Sequence, residues 1–401
     1  MKNRENKIFF FVAYCLYFVS LFLRDIGGDG VLDSVSRYMR LLSYGIIALH
    51  LVITTKLNIK RILKIIIVLA VPTLYGLYTG DLYWSILTIF IISSRDIESD
   101  SIYGISFKIL AIGSAIVVGF ALIGVLPDSI NSAGGSKLVL IRHSLGFYHS
   151  NVLPLLILYM EIYYIILHRN IPNYKVIIGF ALISILVFSL CGSRNAFILT
   201  CGLSLFILCR KMFDDNKTVL GILFIISNCS VLILSTISVA TMFLLGKGGI
   251  WDKIDYLFNG RFRLGYYKMI RVGLHFINFM SNSEFFSDST ESAIDTIIID
   301  NGYLYAILRY GIIAILFYLI VSVLLTYKAK GNYSFLVALI VVFVSNFVDN
   351  DLFDYSFLPL ILFAFYDNGI EKYIEKIKRP ISKKSNNNSN LRVTKGNKEG
   401  I

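Results

Sequence analysis

Uninterrupted apolar runs, most of them long enough to cross a bilayer as a helix, recur from one end of this sequence to the other. That feature excludes most folds. Hydrocarbon offers no partner to backbone N–H and C=O groups, so a chain that crosses it does so as helices or as a closed barrel. The period-two alternation that a barrel needs is absent. The expected fold is therefore all-α, a polytopic membrane helical bundle of about 12 transmembrane helices within residues 1–368. The expected spans are 8–23, 38–55, 62–79, 82–93, 102–125, 151–167, 174–190, 195–210, 218–245, 303–326, 333–348 and 352–367. Composition agrees: 16% of residues are charged, against about 25% in an ordinary soluble domain. The first run follows "MKNRENK" and lacks a small-residue cleavage site, so it is expected to stay as a helix rather than be removed as a signal peptide.

The net charge of +12 does not indicate nucleic acid. With the N-terminus inside, nearly two-thirds of the lysines and arginines fall in the inside loops and the tail, as the positive-inside rule requires, and an even number of spans leaves both termini in the cytoplasm. The tail, 369–401, is basic, rich in Asn and Ser, and without apolar period. It reads as a disordered cytoplasmic segment. The five cysteines lie in or beside apolar runs with no metal-ligand spacing, and they read as ordinary membrane residues.

The remaining cations are the anomaly. Arg142, Arg194 and Arg309 lie close to the outer ends of spans, where charge is costly and usually functional. They point to an anionic ligand at the outer face. In "CGSRNAF", Cys191–Phe197, Gly192 permits a tight turn, Ser193 is a candidate N-cap, and Arg194 stands at a helix N-terminus, which itself favours anions. In "RHSLGFYHSN", Arg142 can hold a phosphate with two parallel hydrogen bonds. His149 is a general base, a hydrogen-bond donor to a sugar, or a plain interfacial histidine. His143 and Asn151 are weaker candidates for substrate contact. The longest outside loop, 246–302, contains "NGRFRLGYYKMIRVGLHF". Wound as a helix, it sets Arg261, Leu264, Lys268, Arg271 and His275 in an arc of about 80°, a cationic stripe on a helix lying along the outer face. At "DNGYLYAILRYGII", Asp300 or Asn301 caps the next span, or the Asp300 carboxylate accepts a proton from a hydroxyl. Arg309, two turns deeper, pairs with an acid or reaches a phosphate. "DNDLFD", Asp349–Asp354, reads as a solvated turn.

At these residues the sequence resembles the Wzy-type polysaccharide polymerases of bacterial capsule and O-antigen synthesis, in the superfamily that includes the O-antigen ligases. The resemblance lies in "LGFYHSN", "GSRNAF", the "NGR" of the long loop, and "DNGYL" followed by "RYGII", in that order and nearly along the whole chain. The family's usual "HPN" is here "HSN", with Ser150 in place of proline. The resemblance implies a GT-C-like fold in the bacterial cytoplasmic membrane. It implies a metal-independent glycosyltransferase that moves an undecaprenyl-pyrophosphate-linked glycan onto the non-reducing end of a lipid-linked repeat unit at the outer face. No cofactor is expected, and a flippase and a chain-length regulator are the expected pathway partners. By carry-over Arg194 and Arg261 hold the pyrophosphate, with Arg142, Arg271 and Arg309 as further candidates. Asp300 falls where the ligases carry a histidine proposed as base, with His149 the alternative. The rival readings are a ligase, which passes the glycan to another acceptor, and a flippase for the same lipid.

Overall fold

A computed structural model describes residues 2–26, 30–54, 59–95, 97–132, 141–245, 249–258, 260–286, 299–350 and 352–366. The helices run α1 (Lys2–Arg24), α2 (Gly30–Thr54), α3 (Ile59–Thr79), α4 (Tyr83–Ser93), α5 (Ser99–Leu122), α6 (Val152–Leu167), α7 (Tyr174–Cys191), α8 (Arg194–Leu208), α9 (Lys217–Leu244), α10 (Ile250–Leu257), α11 (Arg261–Val272), α12 (Asn282–Phe286), α13 (Gly302–Tyr310), α14 (Ile312–Lys328), α15 (Tyr333–Val348) and α16 (Leu358–Phe365). The protein is all-α in its bulk. Six helices are long and apolar enough to cross a membrane, and four shorter ones, α4, α6, α14 and α15, are equally apolar. The expected tail, 369–401, lies outside the described residues, as does Asn259 of the "NGR" motif.

Side chains set many of the boundaries. Asn173, Asn216, Asn301 and Asn332 each sit just before a helix and accept hydrogen bonds from its first free N–H groups. Gly192, in the left-handed region, ends α7. The serines of α2 let it lie close against α1: Ser36 donates to the Ser20 carbonyl and Ser43 to the Ala13 carbonyl. α6, α15 and α16 form the buried centre. α3 is exposed at Ile66, Ile67, Val71, Leu74 and Leu77, a face suited to hydrocarbon rather than water. An acidic side chain lies in the apolar centre: Glu161 of α6 is fully buried and accepts from the Ser204 hydroxyl at 2.6 Å.

Two local features depart from the sequence expectation. The first is a short antiparallel hairpin, β1 (Ile130–Ser132) with β2 (Ile141–His143), pairing Asn131 with Arg142. The second concerns the span expected over 303–326, which is broken at Gly311 into α13 and α14. Gly311 has φ +95°, and a Cβ there would sit 2.5 Å from the Phe276 carbonyl oxygen. The break admits the stretch that follows α11: Ile312 N–H donates to the His275 carbonyl and Ile313 N–H to that of Phe276.

Candidate functional site

The segment carrying Arg142 and His149 is shaped by a residue the sequence did not single out. Asp128 accepts hydrogen bonds from the Ser144 and Leu145 N–H groups at 2.8 and 2.9 Å and lies 2.6 Å from His143 Nδ1. Burial works against its charge, but the His143 and backbone hydrogen bonds outweigh that and hold the carboxyl below its usual range. Leu145 is thereby held at φ +51°, a conformation rare for a side chain of its size. Gly146 follows with φ +87°, and a Cβ there would press on Val117 and Ala121 of α5.

Arg142, on β2, reaches the α7–α8 turn and donates from Nη2 to the Gly192 carbonyl at 2.6 Å. Its Nε is buried without a partner. Arg194, the first residue of α8, is exposed and close enough that its charge, after burial, depresses the Arg142 guanidinium. Among the described residues neither arginine is in ion-pair distance of a carboxylate. His149 is half-buried and feels both Arg142 and Asp300. Burial and then Arg142 push its imidazole down, with Asp300 opposing. Its Nδ1 accepts from the Asn151 N–H at 3.1 Å.

The third wall is the start of α11. Asp255, fully buried, accepts from the Phe262 and Arg263 N–H groups and so caps α11. Arg261, at the first position, is thereby aimed at two carboxylates. Its Nη1 lies 3.1 Å from Asp349 Oδ1 and its Nε 3.8 Å from Asp300 Oδ2. Asp300 keeps 46% of its side chain exposed, whereas Asp349 keeps 17%. Burial pushes the Asp349 carboxyl up to about 6, against the pull of Arg261, with Asp300 adding to the rise and Asn195 opposing it. Gly302 closes the corner. Its N–H donates to the Asp349 carbonyl, and a Cβ there would lie 3.0 Å from the Asn346 carbonyl oxygen.

The fold thus gathers Arg142, His149, Arg194, Arg261 and Asp300 from four separate segments. Ser193 is buried beside Arg194, although it makes no side-chain cap hydrogen bond to α8. Asn151 lies next to His149, and its buried Oδ1 has no partner.

Other sequence candidates are placed differently. Asn301, not Asp300, is the cap of α13. It is fully buried, its Oδ1 accepting from Leu304 N–H and its Nδ2 donating to Phe347 O and Ser238 Oγ, so it has no group left for a substrate. Arg309 is fully buried away from the arginine pair. It donates to the Met280 carbonyl and to Asn282, lies 3.5 Å from Asp81, and faces the Phe285 ring. It clamps the loop instead of facing a ligand. The expected outward cationic stripe is divided: Arg261 and Lys268 lie on the buried face of α11, while Arg271 and His275 are exposed. The reason is that Phe262, Gly265 and Val272 share the inward face and pack it against the bundle. Lys268 sits over Phe285 with its Nζ 4.7 Å from the ring centroid. His275 Nε2 contacts the Val272 carbonyl at 2.9 Å, closing the end of α11. His143 is held by Asp128, as described.

The stretch "DNDLFD" corrects the sequence reading most. Its two described acids, Asp349 and Asp354, are engaged by arginines rather than left to solvent. Asp349 pairs with Arg261, and Asp354 lies 3.6 Å from Arg24 at the end of α1. Asp25 beside it is pushed up to about 7 by burial and by the Asp354 charge. Asp354 also lines a narrow cleft with Tyr17, Tyr83, Phe353 and Tyr355. Only a full tertiary contact reveals these roles, because acids between two apolar runs read locally as a polar turn.

Chemically, the arrangement offers an anion-binding pair of guanidiniums, a hydrogen-bonding imidazole, and a half-exposed carboxylate oriented by a third arginine. Comparisons with protein-family models, curated proteins and solved structures find nothing that matches this chain.

Proposed function

We propose that this protein is a repeat-unit polymerase, a metal-independent glycosyltransferase of the bacterial cytoplasmic membrane. It joins undecaprenyl-pyrophosphate-linked oligosaccharides at the outer face, in a bundle of about 12 spans whose 246–302 loop is external. The observation that carries this reading is that Arg142 reaches the turn that opens on Arg194, with neither arginine in ion-pair distance of a carboxylate among the described residues, while His149 feels both Arg142 and Asp300. Two neighbouring guanidinium charges favour an anion between them, and a diphosphate matches both their charge and their fork geometry.

The reaction follows from the residues. Breaking the sugar–phosphate bond builds negative charge on the departing diphosphate. Arg142 and Arg194, already in position, stabilise that charge without reorganising. The acceptor hydroxyl attacks the anomeric carbon and loses its proton to the Asp300 carboxylate. Arg261, with its Nε 3.8 Å from Asp300 Oδ2, orients that carboxylate. Lipid tethers hold both substrates in one plane and supply proximity. A flippase would deliver the substrates and a chain-length regulator would set when transfer stops.

The test is deletion of the gene followed by glycan analysis, with complementation by Arg194→Ala. Single repeat units left on lipid, unrelieved by the variant, support the polymerase. Unattached long chains point to a ligase, and normal polymer from the Arg194→Ala strain overturns the site.

A further inference from the structure

The sequence leaves His149 with three roles, and the hydrogen bond it makes chooses between them. A backbone N–H can only donate. The imidazole nitrogen that receives it from Asn151, Nδ1, is therefore bare. A neutral imidazole carries one proton, so that proton is on Nε2. Protonating Nδ1 as well would set two donors face to face and break the bond at the start of α6. The charged groups facing the ring point the same way on balance: Arg142 opposes a second positive charge, while Asp300 alone favours it. Among the described residues Nε2 has no hydrogen-bond partner, and the ring is only half-buried, within electrostatic reach of both Arg142 and Asp300.

We infer that His149 is a fixed hydrogen-bond donor to the bound diphosphate, presenting Nε2–H beside Arg142, and that it takes no proton during transfer. This inference rests on the reading of the site as a diphosphate site. In the step itself, the acceptor oxygen bonds to the anomeric carbon and the acceptor proton goes to Asp300. The electron pair of the breaking C–O bond leaves on the diphosphate. His149 ends the step with the proton it began with, its Nε2–H directed at a phosphate oxygen that grows more negative. Two polar groups next to His149 in the chain, Asn151 Oδ1 and Ser150 Oγ, are buried without partners among the described residues, so this segment has unused hydrogen-bonding capacity.

The experiment uses the full chain, labelled with 15N-histidine and reconstituted in liposomes, with farnesyl diphosphate as the probe. Nitrogen spectra at neutral pH, compared with those of His149→Gln, isolate the His149 signals. The expected result is a protonated Nε2, a bare Nδ1, and a shift of the Nε2 signal on adding the probe. A proton on Nδ1 overturns the inference whatever the protein does. In binding titrations His149→Phe weakens the probe by about tenfold or more, the size of a lost hydrogen bond to a charged group. Wild-type binding that needs Arg142 and Arg194 but ignores His149→Phe overturns the inference alone. Absence of wild-type binding, or binding untouched by Arg142→Ala and Arg194→Ala, overturns the diphosphate site beneath it.

Discussion

Arg142 of the hairpin donates from Nη2 to the Gly192 carbonyl at 2.6 Å, which brings it to the turn that opens on Arg194; burial first, and then the Arg194 charge, depress the Arg142 guanidinium. A carbonyl oxygen satisfies one donor but does not neutralise two charges. Inorganic pyrophosphate is therefore expected to raise the thermal midpoint of the purified protein, with a gain of about 2.7 kcal/mol at a hundred times its dissociation constant. Arg194→Ala should remove most of that gain. A wild-type midpoint indifferent to pyrophosphate would contradict an anion site here.

Arg261 bears on two carboxylates at once, through Nη1 and Nε. Lysine keeps the charge but has no fork, and its compact ammonium cannot address both acids in this geometry. Arg261→Lys is expected to lower polymer formation by about 10- to 100-fold, the value of one charge-assisted hydrogen bond, while the protein remains in the membrane. Arg261→Ala leaves Asp349 buried and unpaired, and should destabilise by about 3–5 kcal/mol. Parallel measurement of membrane protein level and glycan length separates the two effects.

Asp300 and Asn301 are neighbours with different work. Asp300 is half-exposed and faces Arg261, whereas Asn301 is buried and caps α13. Asp300→Asn should leave folding intact and remove activity, because an amide accepts no proton at neutral pH. Asn301→Ala should do the reverse in kind. It strands Leu304 N–H and the Phe347 carbonyl, a loss of about 1–3 kcal/mol each, and lowers activity only in proportion to folded protein. Full polymer length from Asp300→Asn would end the assignment of that carboxylate as base.

These outcomes also show where the sequence is legible. The apolar runs give most of the helices to within a few residues, because hydrocarbon leaves the backbone no alternative, but α2 begins eight residues before its run, the span over 303–326 is broken and α16 is shorter than its run. "CGSRNAF" reads correctly as a tight turn with a cation at a helix start, since Gly192 and Arg194 act locally. Arg309 reads only as far as its two alternatives, an acid or a phosphate; the structure gives it an acid, Asp81. Depth along a helix says nothing about which neighbour waits there, and Asp81 lies far away in the chain. Asp349 and Glu161 escape for the same reason. Each is a single acid in an apolar context, and its partner, Arg261 or Ser204, is joined to it only by packing.

Asp128 carries no charge to the ligand, yet it fixes the segment that does. It ties Ser144, Leu145 and His143 together and so sets the direction of both Arg142 and His149. Asp128→Ala is expected to reduce transfer by about 10- to 100-fold, the value of one hydrogen bond to a charged group, with a smaller loss of overall stability, since Asp128 lies at the edge of the bundle. Asp128→Asn, which still accepts the two backbone N–H groups, should recover part of the activity. Equal activity in wild type and Asp128→Ala would show that the segment holds its shape without this anchor.

Asp349 makes the site less stable than it need be. Its carboxyl is raised from the ordinary aspartate range to about 6, burial being the largest cause. The folded protein therefore holds a proton that the unfolded chain has already released between about pH 4 and pH 6. The sign follows: stability is greatest below pH 4 as far as this group is concerned, and falls as pH rises through that window. Asp349→Asn removes the penalty. Near pH 4 the variant and the wild type should unfold at similar temperatures, and near pH 7.5 the variant should be more stable, by on the order of 2 kcal/mol. It should nevertheless polymerise poorly, because Arg261 loses the anchor that sets its angle to Asp300. Thermal midpoints at the two pH values, beside glycan length in cells, test both halves. A variant less stable than wild type at pH 7.5 would mean that the attraction of Arg261 outweighs the cost of burying the charge.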